Sequence, residues 1–298
     1  VPAALDGVRR IQPVTLRRAL GNSLNIPAVK TLQFVGLPQA VETARLLGLR
    51  SLKSHEAYGL SFTLGGGEVR LVELTAAYAV LANNGQQVPV SPISRIEDGE
   101  GTVLWEHQPR PQQIVDPRLT FLVTDILSDN NARVETFGPN SPLKLSRPAA
   151  AKTGSTDDYR DSWTVGYTPD LVVGVWVGNA DNRPMENVWG SSGAGRIWHR
   201  IMEAALEGRP AHPFPQPEGL VRATVCAENG FLPTPDCPRT VTDWFLPEFV
   251  PTERISPNRR IAVCTASNKL ATASTPLEAI EFRPALVTSG GDRAAVPI

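Results

Sequence analysis

From Val14 to about Gly48, apolar positions recur at helical spacing. Thr15 is placed to cap a short helix over Leu16–Leu20. Pro27 sits where a second helix would start, with Val29, Leu32 and Val35 along one side. Pro38 at a first helical position and Gly48, just past the stripe Val41, Ala44, Leu46 and Leu47, bracket a third. The glycines Gly65–Gly67 lead into a predicted helix over Glu68–Leu81, apolar at Val69, Val72, Ala76, Tyr78 and Val80 and closed by Asn84-Gly85. The period then changes. Ser91–His107 alternates about Asp98-Gly99-Glu100-Gly101 and predicts a β-hairpin, and Leu119–Leu127 predicts a further helix.

A strand-rich block begins near Ala149. Ala149–Thr153, Ser162–Tyr167 and Leu171–Gly178 are short runs separated by Asp157-Asp158 and by Thr168-Pro169-Asp170, the pattern of consecutive antiparallel strands. Ile197–Leu206 returns to helix. Helices, then strands, then a helix without regular alternation predict an α+β fold. Past Arg209 the texture changes again: 13 of the 27 prolines fall in Pro210–Ile298. A boundary is placed near Gly219, with a turn-rich appendage of β character after it.

Composition narrows the classes. A chain of 298 residues with 41% hydrophobic and 20% charged residues can bury a sizeable core, which excludes disorder and a disulfide-dense scaffold. A net charge of −1 removes the electrostatic case for nucleic acid as a partner. No apolar run reaches the ~20 residues of a membrane span. The chain opens on Val1, in mid-pattern, and is expected to be a fragment.

The most informative string is Ala150-Ala151-Lys152-Thr153-Gly154-Ser155-Thr156. Lys-Thr-Gly followed by Ser or Thr arises by chance in roughly one chain of this length in a hundred. An edge strand can pair with an extended peptide. A lysine there supplies fixed positive charge, neighbouring hydroxyls hold a carboxylate, and glycine leaves room for a ligand. Taken alone, the string also fits a surface strand ending in a basic turn. Lys-Thr-Gly is one of three elements of penicillin-recognising serine enzymes, with Ser-x-x-Lys and Ser-x-Asn. Ser-x-Asn is weighed at Ser23-Leu24-Asn25, between two helical segments, and at Ser128-Asp129-Asn130, at a helix end.

Three runs carry a resemblance: Val14–Leu32, Leu64–Gly85 with its Leu-Gly-Gly-Gly-Glu-Val, and Ala151–Asn179. Together they resemble the transpeptidase domain of class A penicillin-binding proteins, over roughly residues 10–210 well and 220–285 loosely. Ile126–Asn130 and Leu232–Pro238 tilt it toward the penicillin-binding protein 1C type. The resemblance implies a penicillin-binding-protein/serine β-lactamase-like α+β fold, an antiparallel sheet flanked by helices. It implies a transpeptidase domain over 1–218 and a small Pro-rich appendage over 219–298. It selects Ser23 and Asn25, in their Asn-Ser-x-Asn-Ile-Pro-Ala-Val context, over Ser128-Asp129-Asn130. Ser23 would relay a proton, Asn25 would orient the donor's backbone, and Lys152 would set the electrostatics. Thr153, Gly154, Ser155 and Thr156 would bind substrate, the Ser155 N–H being one of two oxyanion donors.

The implied activity is cross-linking of peptidoglycan stem peptides by serine acyl transfer, with β-lactams as mimics. Other cell-wall synthesis proteins are expected partners, a glycosyltransferase domain and membrane anchor are expected upstream, and the location is extracytoplasmic. No cofactor is expected. The Ser-x-x-Lys nucleophile should precede Ser23, yet no serine lies among residues 1–22, so the nucleophile is expected outside this chain. Ser141-Pro142-Leu143-Lys144 fits the letters on the wrong side of Ser23 and is read as a decoy. The competing readings are a serine β-lactamase or D,D-carboxypeptidase, and a non-catalytic cell-wall-binding scaffold.

The remaining signals carry less chemistry. His55, His107, His199 and His212 lack ligand spacing, so no metal site is expected. Gly65–Gly67 lacks the Gly-Lys-Ser/Thr of a phosphate loop. Trp163, Tyr167 and Trp176 are read as core, and Asp161 as a turn residue. Cys226 and Cys237 either pair or stay free, and Cys264 is left over.

Overall fold

The computed structural model describes residues 14–286 together with 296 and 297, except for 187, 258 and 268–270. Arg17–Glu218 forms one compact unit, and the chain from Gly219 onward makes up most of a second.

In the first unit, α1 (Leu16–Gly21), α2 (Asn25–Val35) and α3 (Leu37–Leu46) follow in close succession, and α4 spans Leu71–Ala82. The helix expected from Glu68 thus starts three residues later, after a loop in which Gly65 takes a left-handed φ of +101°. Short pairs follow: β1 (Gln86–Gln87) with β4 (Gln112–Gln113), and the hairpin of β2 (Arg95–Glu97) and β3 (Val103–Glu106). Asp98 Oδ1 shapes the hairpin turn by accepting the N–H groups of Glu100 and Thr102 at 2.9 and 2.8 Å.

Helix α5 (Pro117–Ser128) has Pro117 in its first turn, and Asp116 caps it by accepting the Arg118 N–H at 2.8 Å. After the short α6 (Val134–Phe137), strands β5 (Ala150–Ser155), β6 (Asp161–Tyr167) and β7 (Val172–Gly178) form an antiparallel sheet in that order. Helix α7 (Ala194–Leu206) closes the unit.

The sheet is covered on both faces. Trp198, Met202 and Leu206 project from one stripe of α7 onto Ala149, Ala151 and Val175. On the other face, Leu127 of α5 and Ala82 of α4 pack with Ala150 and Tyr167. The Tyr167 hydroxyl is buried and bonds Thr124 at 2.8 Å, and burial raises its pKa. Central β6 is therefore apolar or hydroxyl-bearing nearly throughout, as a strand covered on both sides must be.

The aromatic expectation needs correcting in part. Tyr167 is core, but Trp176 is 38% exposed. It meets Trp163 across the ladder in a tilted contact, ring centroids 6.4 Å apart, and donates its indole N–H to Asp161 at 2.7 Å. Helix α4 lies on Gly174, where an added Cβ would come within 2.1 Å of Thr75 Oγ1. Trp176 is two residues beyond that contact. Asp161 is more than a turn residue, since it also holds Thr156.

The second unit contains β8 (Val221–Cys226) paired with β9 (Thr240–Phe245), and a sheet of β10 (Arg259–Cys264), β11 (Ile280–Leu286) and β12 (Val296–Pro297). Cys226 and Cys237 form a disulfide, and Cys264 is free. No helix among the described residues is long and apolar enough to cross a membrane.

Candidate active site

The register of β5 on β6 determines which backbone groups of β5 remain available. Thr156 N–H donates to the Asp161 carbonyl at 3.2 Å, so Thr156, Gly154 and Lys152 direct their backbone groups toward β6. By the alternation of an antiparallel ladder, Ala151, Thr153 and Ser155 direct theirs to the other edge, which is free of any strand among the described residues. The first two carbonyls of that edge are engaged by side chains: Arg133 Nη1 reaches the Ala151 oxygen at 3.5 Å and Lys152 Nζ reaches the Thr153 oxygen at 2.7 Å. The Ser155 N–H belongs to the same open row.

Lys152 shares its face with Ala150, the face packed by α5. Its ammonium also donates to Ser23 Oγ at 2.5 Å across 129 residues of sequence. Burial lowers its pKa from the ordinary lysine value to about 8, and the positive charge of Arg133 acts in the same direction.

Ser23 lies in the tight connection from α1 to α2, in the left-handed region at φ +56°. A non-glycine residue there carries strain of about 1 kcal/mol or more, which the surroundings must hold. Asn22 does the holding. Its side chain is 2% exposed, donates to the Arg18 and Ala132 carbonyls at 3.0 and 2.7 Å, and accepts the Thr136 N–H at 3.0 Å. Gly21 lets this loop approach closely, since a Cβ there would lie 2.8 Å from the Ala132 oxygen. Asn25 opens α2 with its side chain exposed.

The hydroxyls expected to bind substrate divide. Ser155 Oγ accepts the Gly190 N–H at 2.8 Å, which leaves its O–H free to donate. Thr156 Oγ1 donates to Asp161 Oδ2 and accepts the Asp161 N–H, both at 2.9 Å, so this hydroxyl closes the β5–β6 turn. An added Cβ at Gly154 would meet Trp163 Cβ at 3.4 Å, a contact without severe overlap, so packing tolerates more than glycine here.

Ser141 is buried at 5% exposure, with its Oγ accepting the Leu143 N–H at 3.2 Å. The adjoining Pro142 carbonyl bonds His199 of α7 at 2.9 Å, and Leu143 and Leu145 pack with α7, on the face away from Lys152. The serine followed three residues later by Lys144 is thus structural. Two residues were not singled out from the sequence. Asn22 stands within the quoted Asn-Ser-x-Asn string, where a polar residue beside a helix end was the available signal. Arg133 lies in a stretch with no pattern to mark it.

The profile described as "Penicillin binding protein transpeptidase domain" matches residues 5–203, and that described as "Penicillin-binding protein 1A, C-terminal domain" matches residues 216–255. Penicillin-binding protein 2D of Bacillus subtilis (strain 168) is 34% identical over 241 residues, 79% of this chain and 34% of its own length. Penicillin-binding protein 1A of Aquifex aeolicus (strain VF5) is 36% identical over 210 residues, 70% of this chain and 28% of its own. The chain therefore spans about a third of the length of these relatives. Among solved structures, penicillin-binding protein 1A from Haemophilus influenzae shares the fold with a TM-score of 0.70 at 23% identity, covering 82% of this chain and 41% of that one. PonA1 from Mycobacterium tuberculosis, in complex with penicillin V, aligns with a TM-score of 0.59 at 25% identity over 68% of this chain and 59% of its own.

Proposed function

The chain belongs to the penicillin-binding protein transpeptidase family, and on that premise we propose that the free edge of β5 is the acyl-transfer half of a peptidoglycan D,D-transpeptidase site. The observation that carries this reading is the 2.5 Å hydrogen bond from Lys152 Nζ to Ser23 Oγ beside that edge.

In the reaction, a serine nucleophile attacks the D-Ala-D-Ala carbonyl of a stem peptide while the lysine of its own Ser-x-x-Lys takes the hydroxyl proton. The terminal D-Ala leaves as an amine that must gain a proton, and an amine of a second strand then takes the acyl group. A Lys152 ammonium donating to Ser23 Oγ leaves the Ser23 O–H free to point at the leaving nitrogen. Ser23 passes its proton to that nitrogen and is re-protonated by Lys152. The substrate backbone adds as a strand along Thr153–Ser155, with the Asn25 amide orienting it. The Thr153 hydroxyl and the free Ser155 O–H receive the terminal carboxylate. The Ser155 N–H faces the developing oxyanion, a contact type worth about 3–4 kcal/mol in the transition state.

β-Lactams react at the same edge because they present the same backbone. We assign the transpeptidase domain to residues 1–218 and a separate appendage to 219–298, with an extracytoplasmic location and a nucleophile contributed from outside this chain. The 1C-like subtype rests on the two phrases Ile126–Asn130 and Leu232–Pro238.

The test is labelled penicillin on the full-length protein. Wild type is expected to acquire a covalent label at a Ser-x-x-Lys serine N-terminal to Ser23, and Ser23→Ala to label about 10²-fold more slowly, in the range for losing one group that acts only in the transition state. Absence of label on folded wild type would leave a binding scaffold as the function, and a label on Ser141 would overturn the site assignment.

A further inference from the structure

Arg133 is charged and yet only 2% exposed. It closes the turn Asn131–Arg133 between α5 and α6. Its guanidinium donates to the Leu127 carbonyl near the end of α5 and, at 3.5 Å, to the Ala151 carbonyl on the free edge of β5. Burying a guanidinium is costly, and an apolar side chain would fill the same space at lower desolvation cost. Burial lowers the Arg133 pKa to about 10, with the Asp129 charge opposing the shift. Asp129 is itself bonded to Arg17 at 3.2 Å, and its side chain is 30% exposed.

Among the described residues, three elements supply the groups that face Lys152. The α1–α2 connection supplies the Ser23 hydroxyl, and β5 supplies the Thr153 carbonyl. The turn after α5 supplies Arg133, with Asp129 behind it and partly spent on Arg17. The charge acting on Lys152 is therefore a cation, placed one residue along the strand.

We propose that Arg133 is a positioning residue for this site: it occupies the Ala151 carbonyl, so that the first backbone group of the β5 edge open to a bound strand is the Thr153 N–H, and its like charge readies the Lys152 ammonium to release its proton. The proton-transfer part rests on the acyl-transfer reading above. The charge coupling does not, and it can be measured on this chain alone.

The experiment is competitive labelling of lysines with acetic anhydride as a function of pH, with Lys152 followed by mass spectrometry in chains whose folded circular-dichroism spectrum is intact. In wild type, Lys152 is expected to reach half-reactivity near pH 8. Arg133→Met is expected to raise that midpoint by on the order of half to one pH unit, and Arg133→Lys to leave it close to wild type. A folded Arg133→Met chain with an unmoved midpoint, or methionine and lysine variants that behave alike, overturns the coupling. If Arg133→Met does not fold, Arg133→Gln, which removes the charge but keeps a donor for the buried carbonyls, decides, and an unmoved or lowered midpoint overturns the coupling. In the full-length protein, the alkaline limb of the penicillin acylation profile is expected to move with the Lys152 midpoint. A limb that stays fixed while the midpoint moves overturns the proton-transfer part.

Discussion

Lys152→Met, made in the full-length protein, is expected to slow penicillin acylation by about 10²–10³-fold while making the fold harder to unfold at neutral pH. The first effect follows from position. Methionine removes the cation that bonds both Ser23 Oγ and the Thr153 carbonyl, so the proton delivered to the leaving group has no source. The second follows from burial. The folded lysine titrates near pH 8, well below the ordinary value of 10.5. Between those values the unfolded chain binds a proton that the folded chain does not, so stability rises with pH through that window. Below about pH 8 the full cost of the buried charge is present, on the order of 3 kcal/mol. Loss of the bonds to Ser23 and Thr153 offsets about 1–2 kcal/mol of what methionine gains. Urea unfolding should therefore find the variant more stable by about 1–2 kcal/mol at pH 7, with the gain gone by about pH 10. A variant less stable at pH 7, or equally improved at both pH values, would contradict this account of Lys152.

Gly166→Ala and Gly154→Ala, in adjacent strands of one sheet, are expected to fail in opposite ways. A Cβ on Gly166 would lie 2.4 Å from Trp198 Cζ2, 2.7 Å from Ala151 Cβ and 2.8 Å from the Ala150 oxygen. Trp198 and Ala151 are both buried, and neither the α7 side nor the β5 side can yield without repacking. Overpacking of this kind costs about 3 kcal/mol, and here it also displaces β5. Gly154 meets only a 3.4 Å contact, so its alanine variant is expected to unfold within about 1 kcal/mol of wild type. Its methyl instead stands beside the pairing edge, and acylation is expected to fall by about tenfold or more. Thermal melts and penicillin acylation rates on the two variants separate these outcomes. Equal destabilisation of both would show that the sheet packing is misassigned.

Much of this site was legible because its two halves carry chemical strings that local structure cannot rearrange. Lys-Thr-Gly-Ser lies on a strand whose small residues, Ala150 and Ala151, suit burial and are buried, and its alternation puts Lys152 on one face and Thr153 and Ser155 on the other. The Asn-Ser-x-Asn string falls between two helical periods, which forces a tight connection there. The helices expected over Leu16–Leu20, from Pro27, from Pro38, over Leu119–Leu127 and over Ile197–Leu206 are found at Leu16–Gly21, Asn25–Val35, Leu37–Leu46, Pro117–Ser128 and Ala194–Leu206, since stripes and prolines mark a helix better than they mark its ends.

What the sequence hid depends on contacts distant along the chain. Thr156 looks like a substrate hydroxyl until the β5–β6 turn brings Asp161 onto it. Trp176 looks like core until α4 is seen to cover Gly174 and no further. Arg133 goes unmarked because burial of a guanidinium is decided by tertiary packing, and no local pattern encodes it. Glu68–Arg70 carries helical spacing, yet Gly65 and the close approach of Gly66 to Ser61 keep the chain in a loop until Leu71.

A crystal structure of the full-length protein after reaction with penicillin tests the β5-edge site most directly. The acyl carbonyl oxygen should sit within hydrogen-bond reach of the Ser155 N–H, the carboxylate on the Thr153 and Ser155 hydroxyls, and Ser23 Oγ against Lys152 Nζ. An adduct lying away from the β5 edge, with Ser23 and Lys152 no longer in contact, would refute the assignment.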